Sequence, residues 1–130
     1  MEFLEMVKND DKRLIIFHAM INPVKLYETS RKYAKSLRKL YKHKNTYLEI
    51  DLTNYYDEIY LPNSFIIMAI NSDAITPMYK NHIASLIIQR VNNNKFTVLP
   101  VVNIDYFEKL YGDTPLYKYA ENFALIIEVR

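Results

Sequence analysis

Leu14-Ile15-Ile16-Phe17 is a run of four apolar, mostly β-forming residues with no polar residue between them. A strand with one wet face alternates apolar and polar side chains. A run that does not alternate is dry on both faces, as strands are in a parallel sheet sandwiched between helices. Two later segments read the same way: Phe65 to Ile70 (FIIMAI) and Phe96 to Val102 (FTVLPVV). Phe123 to Val129 (FALIIEV) makes a fifth strand. Thr46 to Leu52 (TYLEIDL) differs. Tyr47, Glu49 and Asp51 alternate with Leu48, Ile50 and Leu52, which predicts an edge strand with one wet face.

The segments between these runs have helical spacing. Asn22-Pro23 supplies an N-cap and a proline at the first helical position. Leu26, Tyr27, Tyr33, Ala34, Leu37, Leu40 and Tyr41 then recur every three or four residues, which predicts an amphipathic helix to about His43. Thr76-Pro77 starts a second helix, with Met78, His82, Ile83, Leu86, Ile87 and Val91 on its inner side. Asn92-Asn93-Asn94 ends it. Asp105 is a candidate cap for a third helical stretch, broken by Gly112 and Pro115. Residues 2–8 have room for a helical turn or two before the solvated cluster Asp10-Asp11-Lys12-Arg13. The polar connection Thr53–Asn63 joins the second strand to the third.

The order β-α-β-β-α-β-α-β, with most steps crossing over through helices, predicts one α/β domain over residues 1–130. The expected architecture is flavodoxin-like: a mostly parallel five-stranded sheet in the order 2-1-3-4-5, with helices on both faces. Ligands of such sheets sit beyond the carboxyl ends of the strands. Here that rim carries residues 18–22, 51–54, 71–76 and 103–105.

One stretch resembles a known family. Phe65 to Ile70, then Asn71-Ser72-Asp73-Ala74-Ile75-Thr76-Pro77-Met78-Tyr79, resembles the third strand and following loop of a Toll/interleukin receptor (TIR) domain. Phe96 to Val102, with its central proline, resembles that family's fourth strand. Leu14 to His18 and Tyr47 to Asp51 fit its first and second. The resemblance runs in order over about residues 13 to 110. It implies an assembly domain. In relatives that split NAD, it also implies a catalytic Glu four residues after the aromatic at Tyr79. This chain has Ile83 there and no acid anywhere in that helix, so the resemblance is to a degenerate, catalytically inert member. The family's glycine after the second strand is missing as well.

Composition removes whole classes of function. Gly112 is the only glycine, so neither a P-loop nor a dinucleotide fingerprint can be built. The absence of cysteine excludes disulfides, thiol nucleophiles and cysteine zinc sites. No apolar run is long enough to span a membrane, and Met1 to Arg13 lacks the layout of a secretory signal, so a cytoplasmic location is expected. Neither a cofactor nor a metal is expected.

Three sets of residues stand out. If the chain is an enzyme acting on a nucleotide or nucleic acid, Asp51, Asp73 and His82 are its candidate acid, base or ligand groups, because all three fall at the strand-end rim. Solvated loop acids and a surface histidine are the plain alternative. Tyr55, Tyr56 and Tyr60 form a tyrosine-rich loop suited to contact with a protein partner or a second copy. Between Lys25 and Lys44 lie eight cations against the single acid Glu28, a local net of +7 in a chain of net +2. Lys32, Lys35, Arg38, Lys39 and Lys42 make a basic helix face suited to weak, sequence-independent nucleic-acid binding or to an acidic protein. A solvated helix face is again the plain alternative. The leading expectation is a non-catalytic interaction or assembly domain.

Overall fold

The fully apolar runs become inner strands, and the helices cover them on both sides. The computed structural model describes residues 3–19, 22–41, 47–51, 64–70 and 77–130, without the side chains of 10, 51, 70 and 77–79. In chain order the elements are α1 (Phe3–Asp10), β1 (Leu14–His18), α2 (Pro23–Leu40), β2 (Tyr47–Asp51), β3 (Ile66–Ile70), α3 (Pro77–Asn92), β4 (Phe96–Val101), α4 (Ile104–Tyr111), α5 (Pro115–Phe123) and β5 (Ala124–Glu128). The strands form one five-stranded sheet in which every pair is parallel. Among the described residues, no helix is long and apolar enough to cross a membrane.

The α/β class, the five strands and the helices on both faces are as expected. The strand order is β2-β3-β4-β1-β5 rather than 2-1-3-4-5: β1 lies between β4 and β5, not between β2 and β3. Both orders put the second and fifth strands at the edges and the first, third and fourth inside. Alternation reveals which strands are dry on both faces, but three equally apolar runs are interchangeable among the inner places. The step from β1 to β2 therefore crosses three strand spacings, about 14 Å at ~4.8 Å each. Helix α2 has 18 residues, roughly 27 Å at 1.5 Å per residue, and covers that span by packing on β1, β4 and β3.

Right-handed crossovers send a leftward step and a rightward step to opposite faces. Even-numbered β1 residues Leu14 and Ile16 pack with Ile83 and Ile87 of α3, Phe107 and Tyr111 of α4, and Leu116 of α5. Odd-numbered Ile15 and Phe17 pack with Leu26, Ala34 and Leu37 of α2, and with Phe3 and Val7 of α1. Tyr33 of α2 stacks on Phe17 at 5.6 Å and meets Phe3 at 4.7 Å between ring centroids, which ties α1 down. Truncating such a side chain to alanine costs about 2–5 kcal/mol.

Local details follow residue chemistry. Asn22 caps α2 by accepting from the Lys25 N–H, and Pro23 follows it. The cap of α4 is Asn103, which accepts from the Asp105 N–H at 2.8 Å, so Asp105 is in the first turn rather than at the cap. Asn94 takes the left-handed conformation (φ 62°) that ends α3, with the Lys95 N–H closing onto the Arg90 carbonyl. Gly112 is needed for space: a Cβ there would press on the Glu108 carbonyl oxygen. Pro100 is tolerated inside β4 because its missing N–H would point at β3. The β3–β4 register stops at Val98, while the β1–β4 register runs on to Val101.

Candidate interaction site at the sheet edges

The strand-end rim was the expected place for chemistry. His18 ends β1, half-buried between Val101 and Glu128 of the neighbouring strands. Asp51 ends β2, but its side chain lies outside the described residues, as does Asp73 entirely. His82 is exposed on α3. Ile83, where the TIR resemblance calls for Glu, is fully buried in the core. Of the three enzyme candidates only His82 has a described side chain, so their mutual placement lies outside the described residues. Among the described residues, no group of three or more His, Cys, Asp or Glu can hold a metal ion. A cleft of about 190 Å³ lies at the opposite, amino-terminal end of the strands, lined by Lys12, Arg13, Asn94, Tyr119 and Phe123 among others. The loop tyrosines Tyr55, Tyr56 and Tyr60 lie outside the described residues, as does Lys42.

The two edge strands are more informative. β2 is one edge, as its alternation predicted, but its polar side is not open water. Glu49 faces α2, and the Arg31 guanidinium clamps it through both oxygens, Nε to Oε2 at 2.7 Å and Nη2 to Oε1 at 3.0 Å. The Tyr47 hydroxyl donates to the same carboxylate at 3.0 Å. The Arg31 hydrogen bonds hold the Glu49 carboxyl below the usual carboxylate range despite its partial burial. Burial, then the bond to Glu49, pushes the Tyr47 phenol up. Lys35 Nζ and the Arg38 guanidinium sit 5.9 and 5.4 Å from the centre of the Tyr47 ring, as cation–π partners. Lys32, Lys35, Arg38 and Lys39 are all exposed along α2. Four of the five cations of the expected basic face are therefore exposed on α2, and Lys35 and Arg38 among them lie over Tyr47 of the β2 edge.

β5 is the other edge and pairs with β1 alone among the described residues. The Val129 N–H donates to the His18 carbonyl at 2.8 Å, so odd-numbered residues of this strand direct their backbone groups to β1. By alternation, Ala124, Ile126 and Glu128 direct theirs outward. The Ala124 N–H is already used, because it donates to the Ala120 carbonyl at the end of α5. Ile126 is 45% exposed and Phe123, just before the strand, is 55% exposed. Val24, at 65%, completes the large hydrophobic side chains exposed among the described residues. It is next to Lys25, whose ammonium bonds the Arg130 carbonyl just past β5. Phe123 and Ile126 therefore lie at the β5 edge, and Val24 is in the first turn of α2, which Lys25 ties to the far end of that strand.

Two features were missed at the sequence level. Phe123 and Ile126 sit in a mostly apolar run without the alternation that would single out exposed positions. Among the described residues no strand flanks it beyond β1, as the edge place expected for the fifth strand implies. Arg90 falls on the inward stripe with Ile83 and Ile87, which its three-residue spacing could have shown. It is 3% exposed and bonds Thr97 Oγ1 and the carbonyls of Ser64 and Phe96, tying α3 to the starts of β3 and β4. Burial lowers its pKa to about 10. Comparison of the chain with protein-family models, with curated proteins and with solved structures finds no match.

Proposed function

We propose that this chain is a non-catalytic assembly domain that joins protein through the β5 edge. The observation that carries this reading is the exposure of Ile126 within, and Phe123 just before, an edge strand with outward-facing backbone groups. Soluble proteins usually blunt such edges, because an unpaired strand invites another. An exposed edge with an apolar centre therefore favours pairing as its role. The TIR resemblance fits this reading in one respect: Ile83, in place of a catalytic Glu, is part of the core and can do no acid, base or nucleophilic work. The test is sedimentation equilibrium of the purified chain over a range of concentrations. Association that disappears in Ile126→Lys supports the proposal. A chain that stays monomeric throughout, or an association indifferent to Ile126→Lys, contradicts it.

The exposed cations of α2 support a second reading, weak nucleic-acid binding. If Lys32, Lys35, Arg38 and Lys39 each neutralise one phosphate, the logarithm of the affinity should fall with the logarithm of salt at a slope of roughly −4. Lys35→Glu with Lys39→Glu should abolish the binding without unfolding, because both side chains are exposed. A slope near zero, or binding retained in the double variant, leaves these cations as a solvated face.

A further inference from the structure

We infer that the occupant of the β5 edge is a second copy of this chain, paired antiparallel about a two-fold axis that passes between the two Ile126 residues. The inference rests on the assembly reading and adds to it the partner, the direction and the register.

The backbone fixes the direction and register first. Ile126 offers both its N–H and its C=O outward. Glu128 offers both as well, and Ala124 offers its C=O alone. Antiparallel strands exchange both bonds between directly opposed residues of a hydrogen-bonded pair. With Ile126 opposite the partner's Ile126, Ala124 falls opposite the partner's Glu128. Each Glu128 N–H then donates to the partner's Ala124 carbonyl. The donor Ala124 has spent on its own helix is asked for nowhere except by a Glu128 carbonyl at the exposed rim.

The side chains agree with that register. Ile126 of each copy lies beside its counterpart, so two half-exposed apolar side chains cover each other. Phe123, the last residue of α5, sits just before the first paired position, at the end of the strand where the partner's Val129 leaves it. The charges are self-complementary about the same point. Glu128 meets the partner's Ala124, close to the partner's Lys12, whose ammonium lies 3.3 Å from the Asn122 carbonyl. Arg130, 85% exposed and paired with its own Glu128 at 3.4 Å, leaves its strand at the end that faces the close of the partner's α5, which carries Glu121. A parallel pairing of the same two edges would instead set Glu128 on the partner's Glu128 and Arg130 on the partner's Arg130. Like charges directly opposite are destabilising. This internal complementarity favours a second copy over a foreign strand. An isologous contact uses the edge once on each copy, so it closes as a dimer instead of growing into a fibre.

The chain has no cysteine, so a single introduced thiol reports on one contact. In the proposed register the two Ile126 Cα atoms lie about 5.5 Å apart, within the roughly 4.4–6.8 Å that a disulfide spans. The two Glu128 Cα atoms are offset by four residues along the strand, about 13 Å, out of disulfide reach. Under mild oxidation the full chain carrying Ile126→Cys should become mostly covalent dimer, and Glu128→Cys should stay uncrosslinked. Arg130→Glu should weaken association roughly 5-fold, and adding Glu121→Arg should restore it. If Glu128→Cys cross-links and Ile126→Cys does not, or if the charge swap fails to rescue, the register is wrong, although an Ile126→Lys-sensitive oligomer would still uphold the assembly reading. A chain that is monomeric at every concentration overturns both.

Discussion

The edges β2 and β5 close one sheet and face opposite chemical problems. At β2 a carboxylate that would otherwise be half-buried and alone is clamped by Arg31 and bonded by Tyr47, while Lys35 and Arg38 lie over the same ring. A second strand approaching that edge would have to displace or desolvate several charges. At β5 the central side chain is isoleucine, the residue before the strand is an exposed phenylalanine, and charges appear only toward the ends. Nature's usual protection of an edge is charge. One sheet that protects one edge and leaves the other apolar separates a surface that must stay alone from one built to be covered.

The largest expected effect breaks the contrast at its apolar side. Ile126→Lys puts a charge where a strand would dock and should weaken self-association roughly 100-fold or more, as loss of a central anchor from both copies implies. The same substitution should change folding stability by no more than about 0.5 kcal/mol, because the side chain is already half in water. Sedimentation equilibrium and urea denaturation measure the two separately. A large loss of stability would mean that Ile126 is part of the fold and not of a docking surface.

The next effect breaks the contrast from the other side. Arg31→Leu with Glu49→Val strips β2 of its clamp and leaves two apolar edges on one sheet. The expected outcome is growth beyond the dimer, seen by light scattering after size exclusion, because each copy can then pair at both ends. If the variant keeps the assembly state of the parent, the Arg31–Glu49 pair is not what protects β2.

A smaller effect concerns the clamp itself. Glu49→Gln should cost about 0.5–1 kcal/mol at neutral pH, the range of a partly exposed bidentate pair. The folded Glu49 titrates below its ordinary value, so its contribution is present above the unfolded carboxyl pKa and is lost as pH falls through the folded one. The gap between parent and variant should therefore close in acid. A gap that is the same at pH 7 and pH 3 would assign the effect to shape and not to charge.

Much of this contrast was legible in the sequence, and the rest was hidden for identifiable reasons. The alternation Tyr47, Glu49, Asp51 against Leu48 and Ile50 marked β2 as an edge because a polar side chain at every second place has to meet something polar. The same periodicity could not say that the something is Arg31, since residues 18 positions apart meet only through the crossover of α2. β5 was legible as an edge strand through the expected order, which already put it at one end of the sheet, but its neighbour was expected to be β4 and is β1. FALIIEV lacks the alternation that marks β2, so its sequence does not say that Ile126 is the side chain left exposed. The order of the inner strands escaped the sequence because Leu14–Phe17, Ile66–Ile70 and Phe96–Val101 carry the same message. The capping of α4 by Asn103 instead of Asp105 turned on two polar residues two places apart, either of which can accept from a helix N–H. The exposure of Lys32, Lys35, Arg38 and Lys39 was legible, because their spacing opposite the apolar stripe of α2 needs no tertiary information, whereas the turn of Arg31 toward Glu49 was not. Asp73, Tyr55, Tyr56, Tyr60 and Lys42 lie outside the described residues, and the readings placed on them stand where the sequence left them.

The measurement that bears most directly on the contrast is amide hydrogen exchange across both edges, in dilute and in concentrated protein. Among the described residues, the outward amides of Ile126 and Glu128 have no strand to donate to in a lone copy, while that of Val129 is held by His18 in every state. Raising the concentration should slow exchange at Ile126 and Glu128 together, leave Val129 unchanged, and leave the amides of β2 unchanged. Exchange at Ile126 and Glu128 that stays fast at every concentration, or slowing that appears along β2 instead, would contradict the assignment of β5 as the edge where this protein assembles.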